Sequence, residues 1–182
     1  MKHPTLTTDR LTLRPLGVSD RAEFVRVWTD GREHFRPWFP AEHLSMRPDR
    51  LFDDWLNRLA ATKRDRNGLR YAAFENGGLV GFFHIANIVM GPLRSGYASW
   101  NVAADAIGRG IAVEATTALL RHGFASGLHR IQANVIPSNK PSMRLAERLG
   151  FRREGLAKKY LQIAGHWQDH VMFAMLAEEF SP

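Results

Sequence analysis

Polar and apolar side chains alternate in several stretches of this chain, a pattern that predicts β-strands. Residues 10–16 place Leu11 and Leu13 between polar neighbours, and residues 129–135 alternate throughout. Because successive side chains of a strand point to opposite faces, both stretches read as half-buried strands. Further strands are predicted at residues 71–74, 79–88, 96–102, 151–163 and 167–176. The Asn-Gly-Gly sequence at 76–78 predicts a hairpin turn, because such turns need positive φ angles.

Other stretches repeat apolar residues every three or four positions, which is the period of an α-helix. The predicted helices follow Ser19-Asp20, occupy residues 49–63, run from Gly108 to about Gly127, and lead from a cap at Ser138 or Asn139 to Gly150. Residues 31–47 predict a loop or a short helix that carries aromatic side chains. A strand–loop–helix–strand order in the middle of the chain predicts a parallel crossover, and the flanking hairpins predict antiparallel neighbours. The pattern therefore indicates an α/β protein with a mixed sheet.

Composition narrows the class of protein. The chain has 182 residues and no Pro/Gly/Ser-rich linker, which predicts a single domain over residues 1–182. Its 25 Lys and Arg against 18 Asp and Glu give a formal charge of +7. These charges are spread along the chain, so we expect a solvated basic surface and no dedicated nucleic-acid site. The absence of cysteine excludes disulfides, thiolate metal sites and a cysteine nucleophile, and it suits a reducing, cytoplasmic location.

Membrane and metal sites are not expected. The most apolar stretch, residues 79–91, is interrupted by His84 and Asn87 and is too short to span a bilayer. The first residues lack the apolar segment of a secretory signal. The eight histidines show no zinc-ligand spacing, so we expect no metal. His84 itself is interpreted as a packed histidine of the core.

A glycine pair, Gly108 and Gly110, stands between a predicted strand and a predicted helix. Backbone N–H groups converge with the positive end of the helix dipole at such a place, and together they bind phosphate. The chain has no Walker-type phosphate loop, and Val113 occupies the third-glycine position of a dinucleotide fingerprint. ATP hydrolysis and nicotinamide chemistry are therefore unsupported.

Together with a second element further along the chain, this glycine pair resembles the GNAT superfamily of N-acetyltransferases. Asn139 opens a helix that ends in Leu149-Gly150-Phe151, similar to the second coenzyme-binding element of that superfamily. Within it, the chain is most similar to the ribosomal-protein-alanine N-terminal acetyltransferases of the Rim type. The stretches that carry this closer resemblance lie at residues 6–15, 34–38, 107–115, 129–134, 154–155, 158–161 and 165–171. They span nearly the whole chain.

The resemblance implies a GNAT-like fold, with a mixed, mostly antiparallel sheet of about six to seven strands and a central parallel crossover. It also implies acetyl-CoA as cofactor, with coenzyme A as product, and direct attack by the acceptor amine in a ternary complex. A main-chain N–H from the strand around Trp100 to Ala103 is expected to bind the acyl oxygen. The residues expected to bind the cofactor are Val102, Ala103, Ile107, Gly108, Arg109, Gly110, Ile111, Ala112, Asn139 and Ser142, while Arg109 and Lys140 suit its phosphates.

The remaining expectations concern catalysis and the acceptor. Ser142 is the predicted catalytic hydroxyl, because Ala146 replaces the tyrosine acid of many superfamily members. Asp105 replaces a Gln or Arg of the phosphate loop and is expected to face solvent. The acceptor is expected to contact Trp38, Trp100, Tyr160 and Trp167.

Chemistry favours a particular acceptor. An α-amine has a pKa of about 7.7–8, against about 10.4 for lysine, so an α-amine needs far less help to become neutral. Glu114 and Asp169 are candidate bases, although structural roles at a helix start and in a hairpin suit them better. A protein N-terminus, possibly of a ribosomal protein, is the leading acceptor. A small amine such as a polyamine or aminoglycoside is an alternative, as is a ribosome- or RNA-binding module with a vestigial cofactor site.

Overall fold

A computed structural model describes residues 3–181. Eight strands form one sheet in the order β1-β2-β3-β4-β5-β6-β8-β7. The strands are β1 (Leu6–Thr7), β2 (Thr12–Arg14), β3 (Leu69–Glu75), β4 (Gly78–Val89), β5 (Ser95–Val102), β6 (Arg130–Val135), β7 (Arg152–Ile163) and β8 (His166–Leu176). Within this sheet β5 and β6 run parallel, and the other neighbouring pairs are antiparallel. The predicted mixed, mostly antiparallel architecture is confirmed.

Six α-helices accompany the sheet in the described residues. They are α1 (Arg21–Asp30), α2 (Arg32–Phe35), α3 (Ala41–Ser45), α4 (Pro48–Asp65), α5 (Ile111–Ala125) and α6 (Lys140–Arg148). Short 3₁₀ turns lie at Val18–Asp20, Ala104–Ala106 and Ala177–Glu179. The segment predicted as a loop or a short helix contains both α2 and α3. None of the helices in this part of the chain is long and apolar enough to cross a membrane.

The count of six to seven strands was one too low. The additional strand is β1, which has two residues and pairs Leu6 with Leu13 of β2. Two residues are too few to show an alternating pattern, so the sequence carries no signal for it. Strand β2 is also shorter than predicted, because only Thr12 to Arg14 pair with β3.

An aromatic core holds the N-terminal helices on the sheet. Phe24 of α1 packs edge to face on Phe52 of α4 and on Phe82 of β4, with ring centroids 5.2 and 5.3 Å away. All three side chains are fully buried. Burial of rings of this size stabilises a fold by about 2–3 kcal/mol each. This packing fixes α4 over the first half of the sheet, where α4 forms one wall of a cavity.

The central strands separate part-way along their length. β5 pairs with β6 only from Ser95 to Tyr97, opposite Arg130 to Gln132. Beyond that point β5 continues to Val102 on its β4 side alone, with Val102 opposite Gly81. The divergence opens a gap between β5 and β6 at the centre of the sheet. Helices α5 and α6 begin close to this gap.

Candidate active site

A cavity of about 690 Å³ lies beside the gap. It is lined by the end of β5, by the loop before α5, by the first turn of α5 and by α6. The loop positions Ile107, Gly108 and Gly110 face it, and so do Asn139 and Ser142 at the start of α6. We call this space the coenzyme cavity.

The glycine loop has a conformation that few other residues adopt. Gly108 and Gly110 have φ angles of +77° and +81°, a region that L side chains enter only at a cost. A Cβ on Gly108 would meet nothing within 4 Å, and one on Gly110 would approach only the Arg10 side chain, at 3.4 Å. The glycines are therefore required by the backbone angles, and they leave the surface of the loop open to a ligand.

Helix α5 begins directly after Gly110 and has no side-chain cap among the described residues. The first N–H groups of any helix lack intrahelical acceptors. In α5 these are the amides of Ile111, Ala112 and Val113, three residues that line the coenzyme cavity. Together with the helix dipole, they make this end of the cavity suitable for a phosphate group.

Side-chain contacts brace the loop from outside. Arg10 donates from Nη1 to the carbonyl oxygen of Arg109 (3.0 Å) and from Nε to Glu114 (2.8 Å). Glu114 also accepts from the Thr8 hydroxyl at 2.6 Å. Burial raises the pKa of Glu114, but the hydrogen bonds from Thr8 and Arg10 outweigh it and the net shift is downward. Arg109 turns away from the cavity and forms an ion pair with Glu75.

Positive charge lines the far side of the coenzyme cavity. Arg144 and Arg148, one turn apart on α6, both face it. Among the described lining residues there is no Asp or Glu. The cavity is therefore bordered by two guanidinium groups and by the N-terminus of α5. None of its described lining residues carries a negative charge. This arrangement fits a ligand that carries several phosphates.

The separation of β5 from β6 leaves main-chain groups without a strand partner. Successive residues of a strand direct their N–H and C=O groups to opposite edges. The amide of Ala103 donates to the Val80 carbonyl oxygen at 2.9 Å on the β4 side. The amides of Val102 and Trp100 therefore point into the gap. On that edge, His34 Nε2 lies 3.2 Å from the Val102 carbonyl oxygen.

Ser142 stands where the gap meets α6. Its hydroxyl oxygen accepts a hydrogen bond from the Trp100 indole N–H at 3.2 Å. Because the indole is only a donor, this bond leaves the serine O–H available to donate elsewhere. The backbone amide of Ser142 donates to the Asn139 side chain at 3.2 Å, so Asn139, and not Ser138, is the one of the two predicted candidates that caps α6. Ala146, one turn later, is fully buried.

A second cavity, of about 420 Å³, opens on the other side of Trp100. It shares Trp38, Trp100, Asn101, Asn139 and Ser142 with the coenzyme cavity. Its outer wall comes from α4 and from the aromatic segment before it, and its floor from β4, β5 and β6. We call it the acceptor cavity. The two cavities meet at the Trp100–Ser142 hydrogen bond.

The charged groups of the acceptor cavity lie on its α4 side. Asp54 accepts from Arg58 Nε at 2.6 Å, and Arg70 donates from Nε to the Thr62 hydroxyl at 3.1 Å. Asp54 is the sole carboxylate among the described lining residues, against these two arginines. The wall therefore carries a net charge of +1.

The histidines of this cavity are harder to protonate than free imidazoles. Burial, followed by the neighbouring Arg70 charge, lowers the pKa of His84 to about 3. Burial is also the main cause that lowers the pKa of His43 and of His170. His84 packs near the Trp55 ring, and its buried Nδ1 has no hydrogen-bond partner within residues 3–181. It faces the cavity as well as the core.

The structure brings most of the predicted site residues together. Those that line one or both cavities are Trp38, Trp100, Val102, Ile107, Gly108, Gly110, Ile111, Ala112, Asn139 and Ser142. Four others lie outside the lining. Ala103 is buried with its amide bonded to Val80, Arg109 pairs with Glu75, Tyr160 accepts from Asn134 at 3.2 Å, and the Trp167 side chain is mostly exposed.

The structure also places the candidate acids and bases. Asp169 accepts from the Lys159 amide at 2.8 Å, which is a hairpin contact. Glu114 braces the glycine loop through Arg10 and Thr8. Asp105 faces solvent as predicted, and it pairs with Arg26 at 3.0 Å. Across the described residues, no three His, Asp or Glu side chains are arranged to hold a metal ion.

Sequence reasoning missed the two arginines of α6. Arg144 and Arg148 share a helix face with Pro141 and Leu145, at spacings of three and four. Extending the helical period from the capped start of α6 would have placed both arginines on one face of that helix, although only the fold shows that this face lies beside the glycine loop. Lys140, which the sequence had suggested for the phosphates, is exposed and does not line the cavity.

Comparisons with known proteins agree with this geometry. The family model described as "Acetyltransferase (GNAT) domain" matches residues 10–152. The ribosomal protein uS5-alanine N-acetyltransferase of Escherichia coli is 31% identical over 180 residues, which covers 97% of this chain and 93% of that protein.

Solved structures show the same similarity. Mycobacterium smegmatis RimJ in complex with CoA-disulfide superposes with a TM-score of 0.91 at 34% identity, covering 98% of this chain and 90% of that one. The ribosomal-protein-S5-alanine acetyltransferase of Vibrio fischeri gives a TM-score of 0.84 at 25% identity, covering 98% of this chain and all of that one. Sequence and fold thus point to the same relatives.

Proposed function

The chain belongs to the GNAT family of acetyltransferases, which take their acetyl group from acetyl-CoA, and we propose that its acceptor is the N-terminal α-amine of a protein. A ribosomal protein is the proposed natural substrate, because the relatives of Escherichia coli and Vibrio fischeri, which match over nearly the full length, are named for that activity. The observation that carries the proposal is the meeting of the two cavities at Trp100 and Ser142. An acyl donor and an amine can approach each other there from opposite sides.

The coenzyme cavity suits the donor. Acetyl-CoA would supply an activated thioester and a diphosphate that needs cationic and N–H partners. The amides at the start of α5 offer the N–H groups, and Arg144 and Arg148 offer the charge. Gly108 and Gly110 allow close approach of the loop because no side chain covers it.

The gap in the sheet supplies the reaction's polar groups. The Val102 amide, which points into the gap, is the proposed donor to the acyl oxygen as negative charge develops on it. A fixed donor of this kind contributes about 3 kcal/mol to transition-state stabilisation. The Ser142 hydroxyl, oriented by the Trp100 indole, is the proposed donor to the departing sulfur. Holding donor and acceptor in this alignment contributes several kcal/mol more, on the order of 7 in favourable systems.

The acceptor must arrive with a neutral amine. The imidazoles that face the acceptor cavity are poor bases, because burial lowers their pKa values. An α-amine, with a pKa of about 7.7–8, is already roughly one-tenth neutral at pH 7, whereas well under a thousandth of lysine side chains are. Water can take the remaining proton. The site therefore suits an α-amine much better than a lysine.

The charge of the acceptor cavity separates a peptide from a small polycation. Polyamines and aminoglycosides carry several positive charges and need an acidic cleft. The wall of this cavity has Arg58 and Arg70 against Asp54, a net charge of +1. It would repel a polycation, whereas it accommodates a peptide with a single α-amine.

An acceptor panel tests the proposal. The protein is incubated with acetyl-CoA and peptides of differing first residue, or with a polyamine or an aminoglycoside, and released coenzyme A is followed with a thiol reagent. The protein has no cysteine of its own to react with that reagent. We expect transfer to at least one peptide and little to the polycations. Transfer to the small amines alone, or to no α-amine, would contradict the proposal.

A further inference from the structure

The acceptor cavity contains one arginine that forms no direct ion pair within the described residues. Arg70 is half-buried on β3, and its side chain donates to the Thr62 hydroxyl at 3.1 Å. Its guanidinium also lies 5.8 Å from the Trp55 ring centroid. It forms no ion pair with any residue from 3 to 181, whereas Arg58 beside it is paired with Asp54 at 2.6 Å. A guanidinium has five N–H donors, so most of those on Arg70 have no acceptor among the described residues.

The partial burial of the Arg70 guanidinium disfavours its charged form. Burial is the first cause that lowers the pKa of Arg70, the neighbouring Arg58 charge adds to it, and the Asp54 carboxylate opposes both without reversing the shift. The neighbouring imidazole of His84 supplies no negative charge. A carboxylate brought into the cavity would pair with the guanidinium and offset this effect of burial. Charge-assisted, bidentate hydrogen bonds between Arg and carboxylate are the strong ones in proteins.

The register of the sheet sets the distance from the reacting amine. Arg70 lies opposite His84, and His84 lies opposite Ser99, the neighbour of Trp100. Adjacent strands are about 4.8 Å apart, so Arg70 is roughly 10 Å across the sheet from Ser99. An extended peptide advances about 3.3 Å per residue. A side chain of the second or third acceptor residue can therefore reach Arg70 while the α-amine stays beside Ser99 and Trp100, whose indole contacts Ser142.

We infer that Arg70 is a specificity residue, which binds an acidic side chain at the second or third position of the acceptor peptide. The inference rests on the proposed transfer to a protein N-terminus and names the class of N-terminus that this enzyme prefers. It assigns Arg70 no part in the chemical step. We expect Arg70 to change the ratio of kcat/KM for an acidic peptide to kcat/KM for a neutral one.

The test uses peptides that are identical except for Glu, Gln or Lys at position two or three. For the wild-type enzyme we expect kcat/KM to be roughly tenfold higher with Glu than with Gln, the value for one charge-assisted hydrogen bond. Arg70→Met should bring the ratio close to one, and Arg70→Glu should favour the Lys peptide. The ratio is measured within each variant, so a partly unfolded preparation does not alter it.

A control variant shows whether the effect is specific to Arg70. Arg50→Met removes an exposed arginine of α4 outside the cavity lining and should keep the wild-type ratio. Equal kcat/KM for Glu and Gln peptides in the wild type, or an unchanged ratio in Arg70→Met, would overturn the inference while leaving N-terminal acetylation intact. Failure to acetylate the α-amine of any of these peptides would instead defeat the proposed function, and the inference with it.

Discussion

Individual side chains at the junction of the two cavities carry the proposed chemistry. Among the described residues, Ser142 is the one hydroxyl that lines both cavities, and the Trp100 indole orients it. The buried Ala146 offers no alternative acid one turn later. A serine is a weak acid, so its contribution depends on correct placement. Substitutions of Trp100, which orients the serine hydroxyl, therefore test the mechanism as directly as substitutions of Ser142.

Ser142→Ala should lower kcat by on the order of a hundredfold, the lower end of what a positioned proton donor contributes. The KM for acetyl-CoA should change little, because Asn139 caps the Ser142 backbone amide and not its side chain. Steady-state kinetics with a peptide acceptor measure both quantities. Ser138→Ala, at an exposed position nearby, is the control. An unchanged kcat in Ser142→Ala would remove the hydroxyl from the mechanism.

Trp100→Phe should lower kcat by a smaller factor, because it removes only the N–H that orients Ser142. If Trp100 acts through Ser142, the double variant should be no slower than Ser142→Ala alone. A double-mutant cycle on kcat makes this comparison. Multiplicative losses would show that Trp100 acts independently, for example by packing against the acceptor.

At the scale of elements, the strand–loop–helix unit from β5 to α5 shows what the sequence could predict. The glycine pair, the helix after it and the Asn139 cap all followed from local rules for turns and helix starts, and all are present. Contacts between distant parts of the chain could not be predicted in this way. The brace of Arg10 on Glu114 joins positions 104 residues apart, and Arg109 forms an ion pair with Glu75 of β3.

Glu114→Gln should destabilise the fold at neutral pH by on the order of 1 kcal/mol, because it weakens charge-assisted bonds to partly exposed partners. Folding lowers the pKa of Glu114, because the hydrogen bonds from Thr8 and Arg10 outweigh the effect of burial. Its contribution is therefore present above the ordinary Glu pKa, about 4.3, and disappears as the pH falls through the lower folded value. Urea unfolding at pH 7 and pH 3 measures this, with Glu147→Gln as an exposed control. If Glu114 were the catalytic base, Glu114→Gln would instead lower kcat/KM at every pH above the pKa of that carboxyl, with the fold intact.

Helix α6 should contribute electrostatically to coenzyme binding. Replacing both Arg144 and Arg148 by Gln should weaken acetyl-CoA binding by roughly tenfold at low salt, with a smaller effect in about 0.5 M salt because exposed charges are screened. Calorimetric titration of acetyl-CoA gives the dissociation constants. Arg121→Gln, on an exposed face of α5 outside the cavity, removes one charge of the same kind and should have little effect. A loss independent of salt would argue against a charge interaction.

At the scale of the whole molecule, the resemblance to GNAT acetyltransferases stated from the sequence is confirmed by the family model and by relatives over nearly the full length. The mixed sheet and the crossover followed from local patterns together with that resemblance. The acceptor cavity did not, because its walls come from α4, β4 and β6, which are far apart in sequence. The unpaired state of Arg70 within the described residues is visible only once those walls are assembled.

The two connected cavities predict direct transfer. Both substrates can bind at once, and a cysteine nucleophile is impossible in this chain. Initial-velocity lines for acetyl-CoA and peptide should therefore intersect. Incubation with labelled acetyl-CoA in the absence of acceptor should leave the protein unlabelled. Parallel lines together with a labelled Ser142 would indicate an acetyl-enzyme pathway instead.

In the proposed reaction, acetyl transfer takes place at the gap between β5 and β6, and the acceptor is a peptide α-amine. This reaction is tested most directly with one peptide that carries both a free N-terminus and an internal lysine, acetylated by the wild-type enzyme at neutral pH and mapped by tandem mass spectrometry. We predict acetylation of the α-amine, with none on the lysine beyond the enzyme-free control. Modification of the lysine in preference to the N-terminus would contradict it.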